Sequence, residues 1–261
     1  MEWLRIAYLG KRSSFEGGVF MQMQDLTGKV AVITGASSGI GEATARLLVA
    51  EGVKVIVVAR RSDRIERLAA ELGELATAKV VDVTDRQQIS DLFEWVSSEH
   101  GGLDLLFNNV GLGIHGNFID SNPEDWLHQT NVNFLGLLQC TQAAIPLMTG
   151  RAGAMISSVS SVGGRHGVAG WSVYCATKFA VVGFHDALRK ELGPDGIRVS
   201  VIEPGAVWTE FGHNIDQSER RQSIDALEPN DVAQALVYAF AQPPRVLVQE
   251  ILIRPVKQIV P

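Results

Sequence analysis

Two residues in this chain can move a proton together. Tyr174 and Lys178 stand four apart, and on a helix that spacing stacks both side chains on one face. A phenol with its ordinary pKa near 10 is a poor acid or base at neutral pH. A neighbouring ammonium favours the phenolate and lowers that value. A tyrosine tuned in this way can give a proton to a carbonyl oxygen or take one from an alcohol. Ser161 lies thirteen residues earlier, at the end of the run Ser157-Ser158-Val159-Ser160-Ser161. A strand end, a loop and a helix start between them would bring its hydroxyl beside the phenol. Neither feature is decisive alone. A helix with a half-buried tyrosine and a solvated lysine shows the same pair, and a polar strand end shows the same serines.

The elements around these residues settle what the pair is for. Small and apolar residues continue from Tyr174 through Phe179, Ala180, Val182, Phe184, Ala187 and Leu188 until Gly193-Pro194, the pattern of a helix with its stop signal. Near the start of the chain, Val30-Ala31-Val32-Ile33-Thr34 reads as a strand buried on both faces. The turn Gly35-Ala36-Ser37-Ser38-Gly39-Ile40-Gly41 follows, and then a helix from Ala43 to Ala50, closed by Gly52. A strand, a glycine-rich turn and a helix start form a phosphate site, because the backbone comes close and the helix N–H groups face the anion.

A second strand, Val55–Ala59, ends at Arg60-Arg61. In a dinucleotide fold this end meets the adenosine ribose, where a carboxylate binds a 2′-hydroxyl and an arginine accommodates a 2′-phosphate. Ala59 holds the acid's place, so the expected nucleotide is NADP(H). Arg60 is the preferred phosphate ligand; Arg61 is an alternative, and both also suit the start of a solvated helix. A third strand is expected at Lys79–Val83. Asp82 at its end suits a hydrogen bond from an adenine amino group, while Thr84 or Asp85 suits the N-cap of the helix from Arg86 to His100. A fourth strand, Leu103–Phe107, runs into Asn108-Asn109-Val110-Gly111. There the amides can tie loops together and the glycine admits a ligand.

A long helix is expected from Pro123 to Met148, with Asn133 inside it as a weak helix former. Its apolar surface exceeds what one sheet can cover. Strands at Ala154–Ser161, Ile197–Ile202 and Val246–Ile253 and a helix at Pro229–Ala241 complete the pattern. The stretch from about 208 to 228 follows a strand end and reads as a substrate lid. Residues 1–24 lack periodicity and read as a flexible extension ahead of one domain spanning 25–261.

Composition narrows the class. The chain has 261 residues, 46% hydrophobic content and a formal net charge of −6. There is apolar material for a sizeable core and no basic stripe for nucleic acid. Cys140 and Cys175 make neither a disulfide framework nor a metal site. No apolar run approaches the roughly 18 residues of a membrane span. A cytoplasmic protein without membrane or nucleic-acid partners is expected.

Taken together and in order, these motifs resemble the compact single-domain short-chain dehydrogenase/reductase family, from about Leu26 to Ile253. Thr34-Gly35-x-x-x-Gly39-x-Gly41 is similar to the family's cofactor turn. Asn108-Asn109-Val110-Gly111 is similar to its Asn-Asn-Ala-Gly, with valine for alanine. Asn133, Ser161, Tyr174 and Lys178 fall at the catalytic tetrad, and Pro204-Gly205-x-Val207-x-Thr209 at the loop beside the nicotinamide. The resemblance implies an α/β fold: one doubly wound, Rossmann-like parallel sheet of seven strands. It implies that Tyr174 is the general acid/base and that Lys178 lowers its pKa and binds the nicotinamide ribose. Ser161 would hold the substrate oxygen, and Asn133 would help fix a proton-relaying water. Cofactor contacts are implied for Gly35, Ser37, Ser38, Gly39, Ile40, Gly41, Arg60, Arg61, Asp82, Val83, Asn109, Val110, Gly111, Tyr174, Lys178, Pro204, Gly205, Val207 and Thr209. The implied function is hydride transfer between NADP(H) and a carbonyl or secondary alcohol, in a homodimer or homotetramer. Ketoacyl-thioester reduction on the same scaffold and a non-catalytic NADP-sensing module are the alternatives. A sugar-nucleotide epimerase or dehydratase would need a larger C-terminal region. Leu112, His115, His166, Val168, Trp171, Trp208 and Phe211 flank the catalytic residues and are expected around the substrate, the two histidines as loop residues.

Overall fold

Every side chain of Val30–Thr34 is buried. A strand reaches that state in mid-sheet, with both faces covered. The computed structural model describes residues 23–212 and 218–259, and in it this strand, β1, lies inside a seven-stranded sheet. The others are β2 (Lys54–Ala59), β3 (Ala76–Val80), β4 (Leu105–Asn108), β5 (Met155–Val159), β6 (Arg198–Pro204) and β7 (Glu250–Ile253). The order is β3-β2-β1-β4-β5-β6-β7, and every pairing is parallel. The expected doubly wound Rossmann-like sheet is therefore present.

Strand periodicity divides the core in two. On one face Ala31, Ile33, Val55, Val57, Leu105 and Phe107 pack against α1 (Gly39–Ala50), α2 (Ser62–Leu72) and α8 (Pro229–Phe240). On the other, Val30, Val32, Ile56, Val58, Leu106 and Ile156 pack against α3 (Arg86–His100), α5 (Gly136–Met148) and α6 (Ser172–Leu192). Between α3 and α5 lies α4 (Pro123–Thr130), and α7 (Ser218–Ser223) precedes α8. The chain winds outward from β1 to β3, then crosses back to place β4 on the other side of β1. Ligands of such sheets bind at this switch, outside the strands' carboxyl ends.

Several boundaries differ from those read in the sequence. The third strand is Ala76–Val80, not Lys79–Val83. Its small residues Ala76, Thr77 and Ala78 pair with Val55, Ile56 and Val57, and as an edge strand it lacks the apolar run that marks a central one. Asp82 and Val83 consequently lie in the following loop. The last strand begins at Glu250 rather than Val246. The fifth stops at Val159, leaving Ser160 and Ser161 free to turn.

The long helix from Pro123 to Met148 is continuous but changes gauge. Asn131–Leu135 forms a π-helical turn between α4 and α5. Such turns are rare and recur at functional sites; Asn133 lies in this one. Of the extension expected over 1–24, residues 1–22 lie outside the described residues. Gln24 is tied to the end of α8, its backbone N–H donating to Ala241 O at 2.8 Å. Of the lid, residues 213–217 are likewise outside. Among the described residues no helix is long and apolar enough to cross a membrane, and Cys140 and Cys175 are buried and free.

Candidate active site

The phosphate turn is built by backbone geometry. Gly35 and Gly39 have φ of 67° and 58°, a region that side chains rarely adopt. Asn109 locks the turn to β4. Its Nδ2 donates to Thr34 O and Gly35 O, both at 3.1 Å, and its backbone N–H donates to Thr34 Oγ1 at 3.0 Å. Gly41 is held against this lock: a Cβ there would lie 2.5 Å from Gly35 O and 2.6 Å from Asn109 Nδ2. Gly41 therefore lets α1 close onto the turn and does not line the cleft. Ser38 is the N-cap of α1 but makes no side-chain capping bond. The first N–H groups of the helix are thus not capped by that side chain, the arrangement that suits an anion.

Ala59, Arg60, Arg61, Asp82 and Val83 line one end of the cleft. Arg61, rather than Arg60, lies on the phosphate turn. Its Nε and Nη2 donate to Ser37 Oγ at 3.0 and 2.7 Å, and Nη2 donates to Ser38 Oγ at 2.8 Å. Arg60 is largely exposed and faces Asp82, with Nη1 3.7 Å from Oδ2. Asp82 Oδ1 accepts from Thr84 N–H and Oγ1–H at 2.9 and 2.8 Å. Burial pushes the Asp82 carboxyl up, but these bonds and Arg60 outweigh it and hold the pKa below the usual value. The N-cap of α3 is Asp85, which accepts from Gln87 and Gln88 N–H.

At the other end stand Ser161, Tyr174 and Lys178. Ser161 caps a short 3₁₀ turn, its Oγ accepting from Gly163 N–H at 3.0 Å, and it borders Tyr174 across Gly163, where a Cβ would stand 3.4 Å from Ser161 Oγ and 3.3 Å from Tyr174 Cε1. The turn is anchored to the sheet by Arg165, whose Nε and Nη2 reach the buried Glu203 carboxylate at 2.6 and 2.9 Å. Tyr174 packs against a stacked pair of aromatic rings, 5.6 Å from Trp171 and 5.1 Å from Phe211 by centroid. This desolvation pushes its pKa up to about 12, with the neighbouring Ser161 hydroxyl opposing. The sequence expectation of a lowered phenol pKa is therefore not met. The Lys178 ammonium stands 5.7 Å from the ring centroid and donates to Val159 O at 2.8 Å. It is itself buried, which pulls its pKa down to about 8. Burial acts against both charged forms at once.

Asn133 lies behind this group and does not line the cleft. Its Oδ1 accepts from Leu112 N–H at 2.8 Å, and its Nδ2 donates to Leu112 O at 2.8 Å and Thr177 Oγ1 at 3.1 Å. It thereby ties the loop after Gly111 to the Tyr174 helix. Gly111 brings this loop close to the lysine: a Cβ there would stand in contact with Lys178 Nζ at 3.4 Å and Asn133 Oδ1 at 3.6 Å.

The cleft that joins the two ends has a volume of about 520 Å³, and Pro204, Gly205, Val207 and Thr209 complete its wall. Gly35, Ile40, Val110 and Gly111 also lie on it. Of the seven expected substrate-side residues, Leu112, Val168, Trp171 and Phe211 line it, and His115, His166 and Trp208 do not. His115 packs behind Trp171 at 5.2 Å, and Trp208 lies under Arg221. Glu210 and Arg221 line the cleft from within the stretch expected as a lid, though neither was expected as a site residue, and His128 lines it without having been singled out in the sequence. None of the three belongs to a motif of its own, and only the fold shows which of their side chains reach the cleft. A buried chain was also missed. Asn108 Nδ2 donates to Ser158 Oγ at 3.3 Å, and Ser158 Oγ lies 2.7 Å from His185 Nε2. His185 Nδ1 lies 2.8 Å from Val181 O, so Nδ1 carries the proton and Nε2 accepts from the serine. Burial pulls the His185 pKa down to about 4, which leaves the ring a neutral brace beneath the strand ends.

Known proteins resemble this chain in sequence and fold. An uncharacterized oxidoreductase of Staphylococcus aureus (strain N315) is 37% identical over 236 residues, covering 90% of this chain and all of that protein. The closed form of a serine dehydrogenase complexed with NADP+ superposes with a TM-score of 0.83 at 32% identity, over 88% of this chain and 96% of that one. A 3-ketoacyl-(acyl-carrier-protein) reductase from Brucella melitensis complexed with NADH gives a TM-score of 0.83 at 31% identity, over 90% and 100%. The family model for short chain dehydrogenases matches residues 29–220. On this sequence match and the shared sheet, the chain belongs to the short-chain dehydrogenase/reductase family and is an oxidoreductase with a nicotinamide-nucleotide fold.

Proposed function

We propose that the protein reduces a carbonyl group, or oxidises a secondary alcohol in reverse, with NADP(H) as its nucleotide and Tyr174 as the proton donor. One observation carries the reading: Ser161, Tyr174 and the Lys178 ammonium line one end of a cleft whose other end is the glycine-rich turn of Gly35, Ser37, Ser38 and Gly39. The residues fit the nucleotide: a glycine cradle, a helix start without a side-chain cap, and two arginines beside Ala59. When bound, the nicotinamide supplies the hydride that reduces the carbonyl carbon. The chain supplies everything else. Ser161 offers a hydrogen bond that orients the substrate oxygen. The Tyr174 Oη–H bond breaks and its proton passes to that oxygen. Lys178 then opposes the negative charge left on the phenol, an interaction strengthened by the low local polarity. Asn133 acts at one remove by holding Leu112 and Thr177. The apolar wall of Leu112, Val168, Trp171 and Phe211 favours a substrate with apolar substituents.

The preference for NADP(H) rests on Ala59, Arg60 and Arg61. Charge-assisted hydrogen bonds are worth roughly 1.5–3 kcal/mol each. One such bond to a 2′-phosphate predicts a kcat/KM for NADPH about tenfold or more above that for NADH. The measurement uses one substrate drawn from a panel of aldehydes, ketones, secondary alcohols and acyl-thioesters. Ala59→Asp combined with Arg60→Ala is expected to move the preference towards NADH. Equal or better use of NADH by the unmodified protein overturns the NADP reading.

Assembly is part of the proposal. Leu127 on α4, Leu135 on the π turn and Phe179 on α6 are large apolar side chains with 57%, 41% and 46% exposure. Buried in a symmetric contact, they would make a dimer or tetramer. Light scattering at micromolar concentration is expected to return twice or four times the chain mass. A monomer mass there rules the assembly out.

A further inference from the structure

A carboxylate is an odd lining for a phosphate site, yet Glu210 lines this cleft beside Arg60 and Arg61. Its two oxygens are both committed. Oε2 lies 2.7 Å from Arg61 Nη1, and Oε1 lies 2.7 Å from Arg64 Nη1. Arg61 in turn has every nitrogen engaged: Nε and Nη2 on Ser37 and Ser38, Nη1 on Glu210. The guanidinium best placed on the phosphate turn is therefore already neutralised.

The backbone that carries Glu210 is aimed rather than loose. Its neighbour Thr209 crosses directly over the turn, where a Cβ on Gly39 would stand 3.0 Å from Thr209 Cγ2. The carbonyls on either side, Thr209 O and Phe211 O, accept from Arg221 at 2.8 and 2.9 Å. Residues 209–211 thus form a strap across the cleft, anchored by Arg221 on one side and by the Glu210 ion pairs on the other. Hydrogen bonds from Arg61 and then Arg64 hold the Glu210 carboxyl far below the usual range, at about 2. It remains charged at any working pH.

We propose that Glu210 is a specificity-determining residue: an internal carboxylate that occupies Arg61 and Arg64 and must be displaced by a phosphate on the adenosine ribose. This rests on the nucleotide reading given above and deepens it. A nucleotide without that phosphate leaves the ion pairs undisturbed, whereas one that carries it competes with Glu210 for Arg61. The carboxylate therefore narrows the margin that the arginines would otherwise give to a phosphorylated ribose, and it sets how far the cleft discriminates.

The test uses the full chain and two small probes, adenosine 2′,5′-bisphosphate and AMP, with dissociation constants from titration calorimetry. Both pairs are partly solvent-exposed, so their strength is that of a surface pair. Glu210→Gln keeps the shape and removes the charge. It is expected to tighten the bisphosphate about fivefold, the equivalent of one such pair, and to leave AMP unchanged. Glu210 is exposed, so the thermal midpoint of the variant should match that of the parent protein. An equal change for both probes, no change, or a weaker bisphosphate overturns the inference. The parent protein separately tests the nucleotide reading. If it binds the bisphosphate no better than AMP, the role given to Arg60 and Arg61 fails. The Glu210 assignment still stands or falls on the difference between variant and parent.

Discussion

Tyr174→Phe is expected to lower turnover by about a thousandfold, within the range that a positioned general acid contributes, while nucleotide affinity stays nearly unchanged. The substitution removes one hydroxyl and keeps the ring that packs against Trp171 and Phe211. What is lost is the hydroxyl and its proton. With its pKa pushed up to about 12, the phenol is protonated throughout the neutral range, so the acid form needed for carbonyl reduction is always present. The same burial makes the tyrosine a reluctant base, and alcohol oxidation should gain rate as pH rises. The measurements are kcat in both directions and a nucleotide titration followed by fluorescence. Near-normal turnover in the phenylalanine variant would remove Tyr174 from the mechanism.

Lys178→Met separates catalysis from stability. Turnover is expected to fall by about a hundredfold or more, since the only buried ammonium beside Tyr174 among the described residues disappears and nothing else there opposes charge on the phenol. Stability should respond through pH. Burial pulls the Lys178 pKa from 10.5 down to about 8, so between those values the unfolded chain binds more protons than the folded one. Stability from this group therefore rises with pH across the window, is complete above 10.5, and is lost as pH falls through 8. The swing is on the order of 3 kcal/mol. Tyr174 works in the opposite sense at higher pH, because its raised pKa stabilises the fold below 10 and that contribution is lost towards 12. Urea unfolding of parent and variant from pH 7.5 to 10 isolates the lysine term. The parent should gain stability relative to the methionine variant as pH rises, and parallel curves would show that Lys178 is not the buried cation described.

The sequence alone determined the order of strands and helices, the glycine turn, the paired asparagines and the Tyr174–Lys178 spacing. These are local properties: a doubly buried strand needs an unbroken apolar run, a left-handed turn needs glycine, and a helix places residues four apart on one face. Where the local signal was weak the reading slipped. Ala76–Val80 is an edge strand of small side chains, and the π turn at Asn131–Leu135 keeps the apolar pattern of an ordinary helix. The protonation balance was decided only by tertiary structure. Spacing places an ammonium near a phenol, but whether attraction or desolvation prevails depends on the surroundings of each, and here Trp171 and Phe211 pack on Tyr174 while Lys178 is buried against the end of β5. The same holds for Arg61, Glu210, Arg221 and His185. Arg61 and Glu210 lie 149 residues apart and Ser158 and His185 lie 27 apart, so these contacts exist only once the parallel sheet has brought the strand ends to one edge, whereas Arg221 reaches back within its own segment to Thr209 and Phe211.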